Sequence, residues 1–324
     1  MNKTFSTVLG TGGFLPQKVV TNADLAKTVD TSDEWIVART GIRRRHVAAP
    51  GETTCDLAEQ AAAAAISAAG ITASDLDLII VATTTADYVF PSTACVLQER
   101  IGAGPCPAFD VQAVCAGFIY ALDTADKHIR TGAARCVLVV GAETFSRIID
   151  WSDRATCVLF GDGAGAMVLG AGGEPGIMST HLYADGKYKE LLWVPSGVST
   201  NYQAVTGARA YTQMQGPEVF KVAVQRLGDA AVHALGANGL SAADVDWLVP
   251  HQANLRIINA TTRRLGLADD KVVLTIADHG NTSAASIPLA FDVAVRDGRI
   301  RRGHRVLVEG FGGGFAWGSA LLVY

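Results

Sequence analysis

The sequence predicts an α/β fold made of two duplicated halves. Gly70-Ile-Thr-Ala-Ser-Asp-Leu-Asp77 and Gly239-Leu-Ser-Ala-Ala-Asp-Val-Asp246 are alike at a separation of 169 positions. The same separation aligns Asp123 with Asp292, and Val137-Leu-Val-Val-Gly141 with Val306-Leu-Val-Glu-Gly310. One constant offset held over so long a stretch marks a duplication. Within each copy, apolar strands alternate with helical patterns, which calls for parallel sheets covered by helices. The halves are assigned to residues 1–172 and 173–324, with the link in the Gly/Pro/Ser/Thr/Tyr-rich stretch 171–217.

Each element has a local cause. Residues 53–69 open with Thr53 and Asp56 in capping-box spacing, run through Ala61 to Ala65, and stop at Gly70, which predicts a slim helix. Leu78–Ala82 and Cys136–Val140 are unbroken apolar runs, as strands buried on both faces require. Pro107–Val111 reads as a short strand. Beyond Gln112-Ala-Val, Ile119, Leu122, Ala125 and Ile129 recur at helical spacing and Gly132 closes the element. Pro217 suits a first helical position, ahead of Val219, Phe220, Ala223, Val224, Leu227, Ala231 and Ala234, with Gly239 as the stop. The stretch 195–216 predicts a loop over the surface or the site.

Composition excludes several function classes. Lys and Arg number 27 against 31 Asp and Glu, a net charge of −4, so the chain lacks the overall basic surface of a nucleic-acid binder. No apolar run reaches the ~18 residues of a membrane span, and residues 1–8 lack a signal-peptide pattern. A cytoplasmic protein is expected. All six cysteines, at 55, 95, 106, 115, 136 and 157, lie in the first half without metal-site spacing, so reduced thiols are expected and no metal centre.

Cys115 is the leading candidate for chemistry. It falls at a strand-to-helix turn, in the first turn of the predicted helix, where the helix dipole and unpaired N–H groups favour a thiolate. Position alone leaves a buried structural thiol equally open. His251 follows a predicted strand, Val245–Val249, at the carboxyl end where α/β sheets bind ligands. A structural histidine is the simpler reading there. Asn281, in His279-Gly-Asn-Thr-Ser-Ala-Ala-Ser286, sits in the second-half counterpart of the Cys115 turn, where an ordinary helix cap is the alternative. Trp35 and Arg39, four apart, share a helical face suited to a flat ring and its phosphates, or to a cation–π pair without a ligand. Phe160–Ala166 and Gly310–Gly318 read as glycine-rich turns before terminal strands. The three glycines 312–314 also suit the binding of an oxyanion.

Taken together, Thr31-Ser-Asp-Glu-Trp35, Arg39-Thr-Gly-Ile-Arg43, Cys115-Ala-Gly-Phe118, Phe160-Gly-Asp-Gly-Ala-Gly165, Pro250-His-Gln-Ala-Asn-Leu-Arg256, His279–Ser286 and Gly310-Phe-Gly-Gly-Gly314 resemble the β-ketoacyl-acyl-carrier-protein synthase III family along essentially the whole chain. The resemblance implies a thiolase-like five-layer αβαβα fold, a homodimer and a Cys115–His251–Asn281 triad. It implies that Cys115 takes an acyl group from an acyl-CoA, usually acetyl-CoA, with the N–H groups of Cys115 and Gly313 as oxyanion hole. Malonyl-acyl-carrier protein then loses CO2, His251 and Asn281 steady the enolate, and the carbanion attacks the acyl group. It further implies that Trp35 and Arg154 sandwich the CoA adenine beside Thr31, that Arg39 meets the phosphates, and that Phe220, Ala253 and Asn254 line the channel. Phe90 and Phe311 are implied for the acyl pocket, Phe90 reaching across the dimer. Lys221 and Arg256, extended by Arg263 and Arg264, are implied to receive the acidic carrier protein. No metal or redox cofactor is implied; acyl-CoA and malonyl-carrier protein are substrates. The sequence departs from the family pattern in a longer 196–212 loop and in Ala155, where glycine is common.

Three other readings compete: a related condensing enzyme of secondary metabolism with a different donor or acceptor, a cysteine hydrolase, and a non-catalytic partner subunit. The duplication and the 312–314 glycines argue against a hydrolase. The presence of Cys115 argues against a partner subunit, which loses the nucleophile.

Overall fold

The computed structural model describes residues 4–201 and 210–324. Its strands are β1 (Phe5–Phe14), β2 (Lys18–Thr21), β3 (Arg44–Val47), β4 (Leu78–Ala82), β5 (Ala108–Val111), β6 (Cys136–Glu143), β7 (Gly163–Gly172), β8 (Ile177–Ala184), β9 (Leu192–Trp193), β10 (Gln213–Met214), β11 (Trp247–Pro250), β12 (Arg305–Gly312) and β13 (Ala316–Val323). Two sheets carry the fold, with orders β1-β7-β6-β4-β5 and β8-β13-β12-β11. The four strands of the second correspond in order to β1, β7, β6 and β4 of the first. A lone parallel bridge from Leu248 to Val272 stands where the first sheet has β5. Two small antiparallel ribbons, β2–β3 and β9–β10, lie outside the sheets.

Helices supply the other three layers. Thr54–Ala69 and Thr93–Arg100 cover the outer face of the first sheet, burying Leu57, Ala61, Ala65 and Leu97 against Ile79, Val81, Leu138 and Val140. Gly216–Ala237 and Leu255–Leu265 cover the outer face of the second, where Ala231, Ala234, Ile258 and Leu265 meet Leu248, Leu307 and Leu321. Gly117–Arg130 and Ser286–Arg296 lie between the sheets, in a core with Phe118, Ile119, Ile287 and Phe291 fully buried. This is the five-layer αβαβα arrangement.

The alanine run of the Thr54–Ala69 helix has a physical role. A Cβ on Gly10 would lie 2.3 Å from the Ala69 nitrogen, and one on Gly12 2.3 Å from the Ala61 oxygen. Strand β1 thus rests directly on the helix backbone, which side chains larger than alanine would prevent. The predicted capping box at Thr53 and Asp56 is present, and Gly70 ends the helix at φ 67°.

Three boundaries differ from the sequence reading. Strand β6 runs on to Glu143, because Gly141 and Ala142 continue the ladder with β7. The 195–216 stretch is not wholly irregular: its end returns as β10 to pair with β9. The expected longer loop, 196–212, lies partly outside the described residues. Cys115 is not in the first turn of its helix but two residues before its start at Gly117, in a 3-10 turn over Val114–Ala116.

Candidate active site

The carboxyl ends of β4 to β6 and β11 to β12 converge on two matched turns. In the first half, Val114–Ala116 leads into the Gly117–Arg130 helix. In the second, Ser283–Ala285 leads into Ser286–Arg296. Each turn packs against the strand of the other half. Gly310 of β12 faces the Cys115 carbonyl and Gly141 of β6 faces the Ala284 carbonyl; a Cβ on Gly141 would come within 2.3 Å of that oxygen. The duplication therefore places the Cys115 and Asn281 loops face to face.

Cys115, His251 and Asn281 line one cavity of about 630 Å³, together with Trp35, Arg39 and Phe220. All three are buried, at 3%, 4% and 6% exposure. Burial pushes the Cys115 thiol up to about 12, although a hydrogen bond to Ser283 opposes the shift. Burial thus opposes the stabilisation of a thiolate expected from the helix end. The thiol is therefore the favoured form at neutral pH, and nucleophilic attack needs a base to take its proton.

His251 lines the same cavity. Its backbone N–H donates to the Glu309 carbonyl at 2.7 Å, fixing it to the end of β12. Burial lowers its imidazole to about 3, so the ring is neutral. Nδ1 lies 2.5 Å from the Ser286 hydroxyl, which also accepts the Gln252 N–H at 3.2 Å. A hydroxyl both donates and accepts, so it supports either tautomer and leaves Nε2 to accept or to donate. Gln252, fully buried, bonds Pro250 and Val273 carbonyls and the Thr275 and Ile276 N–H groups, pinning the loop. Ser286 and Gln252 were not singled out from sequence; small polar residues carry no signal until the fold brings them to the histidine.

Asn281 is held at both ends. Its backbone N–H donates to Leu159 O and its carbonyl accepts the Gly161 N–H, both at 2.9 Å. Its side-chain Oδ1 accepts the Ser283 N–H at 2.9 Å, which leaves Nδ2 as the side chain's donor. The Phe160–Gly165 motif thereby acquires a purpose the sequence did not show: it docks the asparagine loop. Gly161 has no room for a side chain beside the His279 carbonyl, 2.8 Å from where its Cβ would be.

The remaining candidates fall into three places. Arg39, Arg154, Phe220, Lys221, Ala253, Asn254, Arg256 and Phe311 line the cavity with the triad. Arg154 lies over the Trp35 ring, 4.8 Å from its centroid, and Arg39 at 5.6 Å. A flat ring held between two planes needs them about 7 Å apart, so here the pair is closed and a ring entering it must displace the guanidinium. Thr31 does not line the cavity, but its buried hydroxyl has no partner. Asn254 caps the Leu255–Leu265 helix and donates to the Arg39 carbonyl at 3.1 Å. Arg256 lies 5.7 Å from the Phe220 ring centre at the rim, Lys221 pairs with Glu218, and Arg264 with Asp229. Gly313 lines a neighbouring cavity of about 640 Å³; it is Gly312 whose Cβ would lie 2.6 Å from the Cys115 nitrogen. Phe90 is 83% exposed and outside the cavity, beside exposed Tyr88 and Val89.

Among the described residues, no group of three or more His, Cys, Asp or Glu is placed to hold a metal ion. Nor is any helix among them long and apolar enough to cross a membrane.

Comparison with known proteins agrees with this geometry. The family model described as 3-oxoacyl-[acyl-carrier-protein] synthase III matches residues 109–186, and the model of its C-terminal part matches residues 235–324. The β-ketoacyl-[acyl-carrier-protein] synthase III of Thioalkalivibrio sulfidiphilus is 63% identical over 98% of this chain and 99% of its own. The crystal structure of 3-oxoacyl-[acyl-carrier-protein] synthase III from Aquifex aeolicus superposes with a TM-score of 0.93 at 46% identity, over 98% of this chain and 100% of that one. The priming β-ketosynthase from the R1128 polyketide biosynthetic pathway superposes equally well, at 0.93, with 37% identity over 99% and 97% of the two chains. With its two matched turns, shared cavity and full-length likeness, the chain belongs to the β-ketoacyl-[acyl-carrier-protein] synthase III family of thiolase-like condensing enzymes.

Proposed function

We propose that this chain joins an acyl-CoA primer, acetyl-CoA above all, to malonyl-acyl-carrier protein by decarboxylative Claisen condensation, the step that starts type II fatty-acid synthesis. The observation that carries the reading is the single cavity lined by a buried thiol, a neutral imidazole and an oriented carboxamide.

In the first stage Cys115 attacks the thioester carbon while His251 Nε2 takes the thiol proton and returns it to the departing CoA sulfur. The N–H groups of Cys115 and Gly313 hold the oxyanion in this reading. In the second stage malonyl-carrier protein fills the cavity. His251, in its other tautomer, and Asn281 Nδ2 donate to the thioester carbonyl. Loss of CO2 leaves charge on that oxygen, which two donors stabilise and a carboxylate would not. The carbanion attacks acyl-Cys115, forming the β-ketoacyl product; the sulfur leaves as a thiolate and takes up one proton from water, restoring the thiol. No cofactor enters either stage.

Trp35, Arg39, Arg154 and Thr31 form the nucleotide end, and Phe220, Ala253 and Asn254 the pantetheine channel. Lys221 and Arg256 at the rim receive the carrier protein, raising its encounter rate despite the net negative charge. Phe311, its ring tilted at 52° to that of Phe315 and 4.6 Å from it, closes the acyl end from within the chain. The exposed Tyr88–Phe90 strip supports a homodimer in which Phe90 completes the partner's pocket. The halves 1–172 and 173–324 divide the labour, nucleophile in one and donors in the other, in a cytoplasmic enzyme. The likeness to the R1128 priming ketosynthase supports a second reading, a priming step in secondary metabolism with the same chemistry.

The test is a product assay with acyl-CoAs of graded length and malonyl-carrier protein. A β-ketoacyl-carrier protein and one CO2 per CoA released support the proposal. Free carboxylic acid as the product contradicts it and indicates a hydrolase. Turnover confined to longer or branched primers moves the assignment to the second reading.

A further inference from the structure

A buried carboxyl outside the triad stands one hydrogen bond from the nucleophile. Glu143, at the end of β6, is fully buried. Its oxygens accept the Thr84 N–H at 3.2 Å, the Thr85 hydroxyl at 2.6 Å, the Ser283 hydroxyl at 3.0 Å and the Ala284 N–H. Ser283 in turn hydrogen-bonds the Cys115 thiol, and its N–H holds Asn281 Oδ1. One side chain thus touches the acid and the nucleophile, while its backbone orients the carboxamide.

The chemistry of a hydroxyl makes this arrangement selective. Ser283 has a single hydroxyl proton. While that proton is donated to an ionised Glu143, the oxygen presents only lone pairs to Cys115, which suits a thiol and not a thiolate. When Glu143 is uncharged, it can donate to Ser283, and the serine proton turns to the sulfur. The charge on Glu143 also repels a thiolate directly.

We propose that Ser283 and Glu143 form a positioning pair that sets the proton affinity of Cys115 through one shared hydroxyl proton. It rests on the reading of Cys115 as the nucleophile. The other groups facing Glu143 are neutral: Thr84 and Thr85 from the loop after β4, Thr54 from the outer helix through Thr85 and Thr144, and Ala284 from the second-half turn. Asp87 on the same loop is engaged by the Cys55 N–H. His251, across the cavity, is neutral. Burial raises Glu143 to about 7, so its charge state is balanced in the neutral range.

The test is the pH dependence of Cys115 alkylation by iodoacetamide, read on the Cys115 peptide by mass in the full-length protein. Glu143→Gln is expected to lower the alkylation midpoint by about one pH unit, because glutamine donates to Ser283 and carries no charge. The same substitution in a Ser283→Ala background is expected to lower it by clearly less. An unmoved midpoint in Glu143→Gln, or an equal fall in both backgrounds, overturns the proposal; a purely structural role gives the first result. Should Glu143→Gln not fold, the coupling is read from the other end. Alkylating Cys115 then shifts the Glu143 carboxyl titration in the ¹³C NMR spectrum of the unsubstituted protein, and the shift is lost in Ser283→Ala; no shift in the unsubstituted protein overturns it. Alkylation needs no acyl donor, so failure here is distinct from failure of the condensing reading.

Discussion

Val114 and Ser283 are 169 positions apart and have nearly the same backbone strain, φ 48° and φ 49°. Among the described residues they are the non-glycine positions with positive φ. Each stands one residue before the centre of its turn, ahead of Cys115 in one half and Ala284 in the other. A non-glycine residue in this conformation costs on the order of 1–3 kcal/mol, so both turns are held by their surroundings rather than by local preference. The duplicated fold makes one strained elbow twice and arms it once.

Val114→Gly tests whether that strain positions the nucleophile. Relief of strain and loss of the partly buried valine oppose each other, so stability should stay within about 1 kcal/mol. Acylation of Cys115 should slow about tenfold, as the sulfur loses its fixed direction. Chemical denaturation and stopped-flow acylation report the two quantities. An unchanged acylation rate would show that the backbone conformation is incidental.

Two glycine substitutions should have opposite signs. Gly141→Ala drives a methyl against the Ala284 carbonyl, where backbone has to move. A loss of about 1–3 kcal/mol is expected. Gly236→Ala, in the Gly216–Ala237 helix with open space around it, should gain about 0.5–1 kcal/mol. Urea midpoints at constant slope check both.

Removing the second-stage donors should separate the two half-reactions. In Asn281→Ala, CoA release from acyl-CoA should persist while condensation falls 10²–10³-fold, the usual cost of one such donor. Equal losses in both stages would place Asn281 in the first stage as well.

The contribution of Glu309 to stability should fall as the pH rises from about 5 to about 8. Glu309 is fully buried, neither oxygen has a partner, and burial lifts its carboxyl to about 8. A carboxyl raised above its unfolded value of 4.5 contributes stability below that value. The contribution is lost as the pH rises through the folded value, because only the unfolded chain ionises freely. Glu309→Gln keeps the shape without the proton, so its thermal midpoint should vary less over this range. An undiminished pH slope in the variant would mean that another group is responsible.

Much of the layout was legible in the sequence. The 169-residue repeat foretold the matched turns, and the Thr53 cap and the alanine run foretold the outer helix with its close strand. The triad was visible as residues but not as a site: nothing local in Pro250–Arg256 shows Ser286 behind the histidine, because the two meet only across the second half. Glu143 carries no signal in the sequence, since its burial and its link to Ser283 arise from contact between the halves. The opposing effect of burial on the thiol is not legible for a related reason. A helix end can be read from spacing, whereas desolvation depends on everything that closes over the site. Residues 202–209 of the longer loop lie outside the described residues.

The central claim is that Cys115 carries the acyl group. Intact-protein mass after incubation with acetyl-CoA, with Cys115→Ala as control, tests it most directly. The account predicts one added acetyl group, mapped to the Cys115 peptide, absent from the control and removed by malonyl-carrier protein with formation of the β-ketoacyl product. A folded protein with a free Cys115 thiol that gains no acyl group from any acyl-CoA would contradict it.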